Sequence, residues 1–149
     1  MVLLVDDDEN TLIFTRFALK HMESAPGLRR VSNGLQAMQY LQGSGLFADR
    51  RSFPLPDIIL LDLKMPVMDG FEFLAWLRSH PIFNQRVVVV LTGSTYQPDL
   101  ARARQLGANG FVEKSSELLD FEKSLRETLN QLLQLVHQRP QEADLVTTC

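Results

Sequence analysis

The chain has 149 residues, a length that suits one domain with a sizeable hydrophobic core. Hydrophobic residues make up 45% of the chain and charged residues 22%, a composition that excludes wholesale disorder. The formal net charge is −3 at pH 7, which argues against a non-specific nucleic-acid binder with a basic face. We therefore expect no direct binding to DNA.

Cysteine usage and hydropathy exclude further classes of protein. The one cysteine, Cys149, cannot form an internal disulfide framework or a thiolate metal cluster. No apolar run reaches the roughly 18 residues of a membrane span. Aspartates follow the first five residues, where a signal peptide would continue its apolar core. We expect a soluble, cytoplasmic protein that does not enter a membrane.

Short apolar runs alternate with helical patterns along the chain. The apolar runs predict strands over residues 2–5, 28–32, 58–61, 87–91 and 110–112. Apolar residues at helical spacing predict helices over residues 12–22, 35–41, 71–79, 100–106 and 118–137. The firmest strand contains the run of valines from Val87 to Val90, because β-branched residues disfavour helix and suit a sheet covered on both faces.

This alternation predicts an α/β fold built on a doubly wound, five-stranded parallel sheet with right-handed crossovers. One domain would occupy residues 1–137, including an extended last helix, and residues 138–149 would form a flexible tail. Residues 43–57, which are rich in glycine, serine and proline, predict a long connection before the third strand.

Polar residues with possible chemistry stand where the predicted strands end. The first strand runs into Asp6 and Asp7, the third ends at Asp62, the fourth ends at Thr92, and Lys114 follows the fifth. Each has an ordinary explanation by itself, as a cap, a strand end or a surface charge. Ligands of open α/β sheets bind outside the carboxyl ends of the strands, so these side chains together predict a site at that edge.

The chemistry of such a site follows from its charges. Carboxylates about 4 Å apart repel by roughly 4 kcal/mol per pair at an effective dielectric constant near 20. A bound cation relieves this repulsion, and an all-oxygen site suits Mg²⁺, which also favours phosphate partners. Lys114 and Thr92 would supply a positive charge and a hydroxyl for a phosphoryl group. The pattern predicts a magnesium-dependent phosphoryl site with a carboxylate nucleophile. Asp8, next to the cluster, is explained equally well as the N-cap of the first helix or as a solvent-exposed residue.

Four segments in order resemble the receiver domain of two-component response regulators, from residue 2 to about residue 137. The segments are LVDD at 4–7, DIILLDLKMPVMDG at 57–70, LTG at 91–93 and GANGFVEK at 107–114. The resemblance implies the flavodoxin-like (βα)5 fold. It also implies a phosphorelay role, in which Asp62 accepts a phosphoryl group from the phosphohistidine of a sensor histidine kinase. Such a protein is not an enzyme in the usual sense, since its chemistry is limited to self-phosphorylation and autodephosphorylation.

The resemblance also assigns roles to the other residues of the site. Asp7 and Asp62 would hold Mg²⁺ through their side chains, Lys64 through its backbone carbonyl, and Asp6 mainly through water. Thr92 would act as the switch hydroxyl and Lys114 would pair with the phosphoryl group, and all of these residues are in matching motifs.

Three positions near the site carry narrower expectations. Phe111 stands at the position of the family's switch aromatic, although packing in the core explains it as well. Gly70 is expected to permit a positive φ in the turn after Asp62. Ser115 replaces the family's usual proline after the lysine, which puts the cis peptide bond of that position in doubt.

Within the family, the chain is most similar to single-domain regulators associated with cyanobacterial phytochromes. The features behind this are the long connection and the pair Lys114-Ser115. The resemblance implies a phytochrome as a candidate kinase, and a homodimer formed through the face of helix four, strand five and helix five. Leu133 and Leu135 are expected to lie off the apolar stripe of the last helix, where they would form a partner or dimer surface or an incidental frayed end.

Other functions of the same architecture fit less well. A flavin phosphate would be repelled by the aspartates after the first strand, and a magnesium phosphatase would need an aspartate where Lys64 stands. No phosphate-binding loop of nucleoside triphosphatases is present in the sequence. The remaining alternative is a binding module of this fold that signals without phosphate. The histidines, His21, His80 and His137, are expected to face solvent.

Overall fold

The computed structural model describes residues 1–93 and 96–137, with nothing said of the side chains of residues 135–137. Five strands are present in the described residues: β1 Val2–Val5, β2 Leu28–Val31, β3 Ile58–Asp62, β4 Val87–Thr92 and β5 Gly110–Glu113. The α-helices are α1 Glu9–Lys20, α2 Gly34–Gln42, α3 Gly70–Ser79, α4 Gln97–Gln105 and α5 Leu118–His137. The predicted tail, residues 138–149, lies outside the described residues.

The strands form one parallel sheet in the order β2-β1-β3-β4-β5. The predicted fold class is confirmed. β2 lies on one side of β1, and all later strands lie on the other, so the strand order reverses between β1 and β3. This switch point is where open α/β sheets leave a crevice at the carboxyl ends of their strands.

Helices cover both faces of the sheet, as the continuous apolar strands require. Val2 and Leu4 belong to the core under α1 and α5, and the alternate residues Leu3 and Val5 belong to the core under α2 and α3. All four side chains are buried, which accounts for an uninterrupted apolar strand instead of an alternating one.

Three strands extend one residue beyond their predicted ends. Asp62 pairs with Leu91 in the ladder, and Thr92 pairs with Glu113. Polar residues continue these strands because their backbone groups still have a neighbouring strand to pair with. The candidate site residues Asp62 and Thr92 are therefore held by the sheet and not by a loop.

The connection over residues 43–57 is organised by aromatic and charged side chains. It contains a short 3-10 helix, Gly45–Phe47. Arg50 donates hydrogen bonds to the carbonyls of Tyr40 and Leu41 at the end of α2. The buried Tyr40 hydroxyl donates to Pro54 O at 2.8 Å, and burial raises the pKa of Tyr40. These bonds fix the connection against α2.

The prediction that Leu133 lies off the apolar stripe of α5 is wrong. Leu133 is half-buried and packs against the core cluster that also contains Leu129. Four residues advance a helix by little more than one full turn, so Leu133 lies on nearly the same face as Leu129. The side chain of Leu135 lies outside what the structure describes.

The expectation for the histidines holds for His21 and fails for His80. His21 is exposed. His80 is half-buried, with its ring stacked on Phe83 at 4.7 Å and tilted against Trp76 at 5.1 Å. The chain leaves α3 at His80 in an extended conformation, which lays the ring over these aromatics. The side chain of His137 lies outside the described part of the chain.

Candidate functional site

Three carboxylates meet at the switch point of the sheet. Asp6 and Asp7 follow β1, and Asp62 is the last residue of β3. Since β1 and β3 are hydrogen-bonded neighbours, each of the three side chains offers one oxygen within 4.8 Å of the others. The structure brings together the acidic residues that were predicted from their positions at strand ends.

Asp6 is fully buried, so its charge requires compensation. Its Oδ1 accepts a hydrogen bond from the Asp8 backbone N–H at 2.9 Å. Its Oδ2 lies 2.7 Å from Lys114 Nζ in an ion pair, yet it has no hydrogen bond of good geometry among the described residues. A buried carboxylate oxygen that lacks a hydrogen bond of good geometry can still interact with a cation.

Lys114 provides the positive charge of the site. Its backbone N–H donates to Thr92 O at 2.7 Å, which fixes the residue after β5 beside the end of β4. The ammonium lies 2.7 Å from Asp6 Oδ2 and 3.5 Å from Asp62 Oδ2. Burial by itself would lower the pKa of Lys114, but the two carboxylates outweigh it and raise the pKa. Lys114 therefore stays charged at neutral pH.

Asp62 is an unusual carboxylate for its position. Burial raises its pKa, and the Asp6 carboxylate raises it further. Lys114 and the Lys64 backbone N–H, 3.4 Å from Asp62 Oδ1, act in the opposite direction and only partly offset this. Without a cation the ionised form of Asp62 is disfavoured, and a divalent ion beside it would favour that form.

The donor set fits a hard divalent cation. All three side chains offer oxygen, which is the ligand type that Mg²⁺ and Mn²⁺ prefer. Asp7 is exposed and Asp62 is half-buried, so water can complete the coordination from the open side. The predicted contribution of the Lys64 backbone carbonyl stays a prediction.

Thr92 is the last residue of β4, and Phe111 is the second residue of the neighbouring strand β5. Thr92 is half-buried. Phe111 pairs with Val90 across the ladder, packs on the small core cluster that contains Ala103, and lies 5.2 Å below the Arg104 guanidinium. Phe111 is thus packed in the structure, and a switch role for it stays a prediction.

The loop after Asp62 differs from its prediction in one respect. Gly70 has no positive φ, so conformational freedom does not explain the glycine. A Cβ at Gly70 would overlap Asp62 O and lie 2.8 Å from Leu63 Cα, so the start of α3 lies directly against β3. Val67, with φ of 69°, is the residue of this loop in the left-handed region.

Two further expectations are settled near the cluster. Asp8 is the N-cap of α1, because its side chain accepts a hydrogen bond from the Asn10 backbone N–H at 2.8 Å. No peptide bond in the described residues is cis, and this includes the bond between Lys114 and Ser115.

Sequence reasoning missed the ionic contact between the site loop and α4. Lys64 Nζ lies 3.9 Å from Asp99 Oδ2 in the first turn of that helix. The two residues are far apart in the sequence, and no spacing pattern links a loop lysine to a helix aspartate. Only the position of α4 beside the loop brings them together.

Comparison with known proteins agrees with this geometry. The response regulator receiver domain, as a family model, matches residues 2–126. The chain belongs to this family. Among curated receiver proteins, Response regulator Rcp1 of Synechocystis sp. is 33% identical over 126 residues, which are 85% of this chain and 84% of that protein.

Solved receiver structures are similar over most of the chain. The phosphorylated cyanobacterial phytochrome response regulator RcpA has a TM-score of 0.78 at 30% identity, covering 86% of this chain and 89% of the other. The Mn²⁺-bound form of Rcp1 has a TM-score of 0.76 at 33% identity, and the match covers 86% of this chain and 90% of Rcp1. RPA3017, a response regulator in red light signalling of R. palustris, has a TM-score of 0.77 at 30% identity. The match covers 86% of this chain and 90% of RPA3017.

The receiver family accounts for the character of the site. Receiver domains are two-component signalling modules that interact with histidine kinases, not enzymes of the usual kind, and this one is related to phytochrome response regulators. They bind a divalent metal at their acidic cluster, and here Asp6, Asp7 and Asp62 form such a cluster. Among the described residues, no helix has the length and apolar character needed to cross a membrane.

Proposed function

We propose that this receiver domain accepts a phosphoryl group on Asp62 from the phosphohistidine of a sensor histidine kinase, with Mg²⁺ held by Asp6, Asp7 and Asp62. The observation that carries the proposal is the meeting of these carboxylates within 4.8 Å, with Lys114 Nζ beside two of them. Phosphorylation would switch a surface that binds a partner protein.

The transfer step involves one bond made and one bond broken. An Asp62 carboxylate oxygen attacks phosphorus, an O–P bond forms, and the N–P bond of the phosphohistidine breaks. The bond electrons stay on the imidazole nitrogen of the kinase, which is then free to take a proton from water. A magnesium ion, when bound, would neutralise charge on the carboxylates and on the phosphoryl oxygens.

The residues around Asp62 are suited to stabilise the product. Lys114 already faces the Asp62 carboxylate with its ammonium 3.5 Å away, so it can pair with a phosphoryl oxygen after modest movement. Thr92 ends the neighbouring strand and can offer its hydroxyl to the same group. Each would donate to the phosphoryl oxygens of the aspartyl phosphate, which carries a charge of about −1.5 to −2.

Phosphorylation by a small donor tests the assignment directly. The protein is incubated with acetyl phosphate, with Mg²⁺ or with a chelator, and its intact mass is measured. We expect wild type to gain one phosphoryl group only when Mg²⁺ is present, and Asp62→Asn to gain none. Asp120→Asn, an exposed aspartate of α5, serves as the control and should label like wild type. Equal labelling of Asp62→Asn and wild type would remove Asp62 from the mechanism.

A complete lack of labelling in wild type would favour the alternative, a binding module that signals without phosphate. The intact acidic cluster supports the phosphorylated function instead. Three carboxylates and a half-buried lysine at one point cost stability, and a binding module would gain nothing from retaining them.

We also propose a phytochrome as the kinase, because several similar proteins carry that association in their names. Phosphotransfer from a purified cyanobacterial phytochrome kinase is the test, with an unrelated histidine kinase as control. We expect faster transfer to Asp62 from the phytochrome. Equal rates from both kinases would contradict this pairing.

The domain extents and the dimer remain predictions. Residues 1–137 would form the domain and residues 138–149 a tail. A homodimer would use the face of α4, β5 and α5, and phosphorylation would strengthen it. Leu133 is a weak candidate for that interface, since it packs against the core. Sedimentation of the phosphorylated and unphosphorylated protein measures the dimer. Equal monomer fractions in both states would contradict the strengthening by phosphorylation.

A further inference from the structure

The two ends of α4 are attached to the domain in different ways. At the C-terminal end, Arg78 of α3 donates two hydrogen bonds to Gly107 O, at 3.1 and 2.7 Å, just beyond the helix. The one buried residue of α4, Ala103, also lies in its C-terminal half. This end is therefore fixed by hydrogen bonds from the Arg78 side chain and by apolar packing.

The N-terminal end of α4 has an electrostatic attachment. Asp99 in the first turn forms an ion pair with Lys64, with 3.9 Å between Nζ and Oδ2. The Lys64 side chain is 75% exposed, and exposed ion pairs of this kind change an equilibrium by only about two- to fivefold. This ion pair is thus easily broken.

Lys64 also belongs to the phosphoacceptor loop. It stands two residues after Asp62, and its backbone N–H lies 3.4 Å from Asp62 Oδ1. A long lysine side chain at this place can turn to Asp99 or to a phosphoryl group on Asp62. An aspartyl phosphate carries about −1.5 to −2 charge, more than the single charge of Asp99, so it competes well for the ammonium.

We propose that Lys64 is a positioning residue that latches the N-terminal end of α4 through Asp99, and that a phosphoryl group on Asp62 draws it away and releases that end. α4 then pivots about the attachment of Arg78 to Gly107. This inference rests on the proposed role of Asp62 as phosphoacceptor. It adds a route by which the charge at Asp62 reaches α4 without passing through Thr92 or Phe111.

Hydrogen exchange of α4, read by mass spectrometry, tests the latch. In the unphosphorylated protein, we expect Asp99→Asn to speed exchange in the first half of α4 by about two- to fivefold. Lys64→Gln should give the same increase, and the double variant should add nothing to either. After acetyl phosphate and Mg²⁺, wild type should approach the exchange of Asp99→Asn, and Asp99→Asn should change little further.

Asp120→Asn is the matched control, because Asp120 is an exposed aspartate in the first turn of α5, as Asp99 is a half-buried aspartate in the first turn of α4. It removes the same favourable interaction with a helix N-terminus but no described ion pair, so α4 exchange should stay as in wild type. Equal α4 exchange in unphosphorylated wild type and Asp99→Asn would overturn the latch. An equal phosphorylation response in those two proteins would overturn the release.

The intact mass of the same samples separates this inference from the proposed function. A wild type that gains no phosphoryl group would overturn the proposed function and, with it, the release of α4. A wild type that gains the group while α4 exchange is unaffected by Asp99→Asn would overturn the latch alone.

Discussion

Lys114 Nζ lies 2.7 Å from Oδ2 of Asp6, so a residue after the edge strand β5 neutralises a fully buried carboxylate that follows the interior strand β1. The pair joins elements separated by most of the chain. It also keeps positive charge at the point where a phosphoryl group on Asp62 would arrive.

Removing the lysine should therefore destabilise the metal-free protein. Lys114→Met leaves the Asp6 carboxylate buried without its ion pair, and we expect a loss of about 2–4 kcal/mol in the free energy of unfolding. Urea denaturation at pH 7 with a chelator measures this. Added Mg²⁺ should restore part of the loss, because it replaces the missing positive charge. A stability equal to wild type in the chelator would show that the pair contributes nothing.

The same pair predicts a loss of stability at alkaline pH. The pKa of Lys114 is raised in the folded protein above 10.5, its value in the unfolded chain. Its stabilising contribution is thus complete below 10.5 and disappears as pH rises through the higher folded value. Wild type should lose more stability in that window than Lys114→Met, which has no such group. Parallel alkaline profiles of the two proteins would contradict the raised pKa.

Asp62→Asn should stabilise the metal-free protein at neutral pH. The pKa of Asp62 is raised above 3.8, chiefly by burial, so ionisation of this group opposes folding. The penalty is absent below 3.8 and grows as pH rises through the folded value. We expect the two proteins to be equally stable in acid and to diverge toward pH 7, measured by urea denaturation in a chelator. Asp120→Asn, at an exposed position of α5, should follow wild type throughout.

Gly70→Ala should reduce stability by about 1–3 kcal/mol, since the added methyl group overpacks the contact with β3. The Cβ would lie 2.8 Å from Leu63 Cα, and backbone cannot move aside as a flexible side chain does. Thermal or urea denaturation measures the change. Gly93→Ala is the control, because a Cβ there meets nothing within 4 Å in the described part of the chain and φ is not positive. The contact is unimportant if both variants match wild type.

Arg78→Lys should cost about 2–3 kcal/mol, although it keeps the charge. The planar guanidinium donates to the carbonyls of Gly107, Asn84 and Arg86, and a lysine cannot reach all of them. Urea denaturation provides the measurement, with Arg51→Lys at an exposed position as control. A loss no greater than that of Arg51→Lys would mean that the planar shape of the Arg78 guanidinium is unimportant for stability.

Local pattern was sufficient for the elements with strong periodicity. The valines of β4 could only suit a covered strand, and the leucines of α5 predicted its observed bounds, Leu118–His137. Asp6, Asp7 and Asp62 were predicted to meet because parallel strands bring their carboxyl ends to one edge. These features depend on periods and on strand order, both of which are expressed in short stretches of sequence.

Contacts between distant elements were decided by packing. The close approach of Gly70 to β3 and the ion pair of Lys64 with Asp99 have no signature in neighbouring residues. Leu133 shows the same limit within one helix, since its face depends on which side of α5 meets the sheet.

The amino-acid order by itself determined the parallel sheet, the elements and the acidic residues at the ends of the strands, because each depends on periodicity or on residue type. The tertiary structure alone decided which charges pair across elements and how firmly each end of α4 is held. Those features depend on distances between residues that are remote in the chain, and such distances exist only after the helices have packed on the sheet.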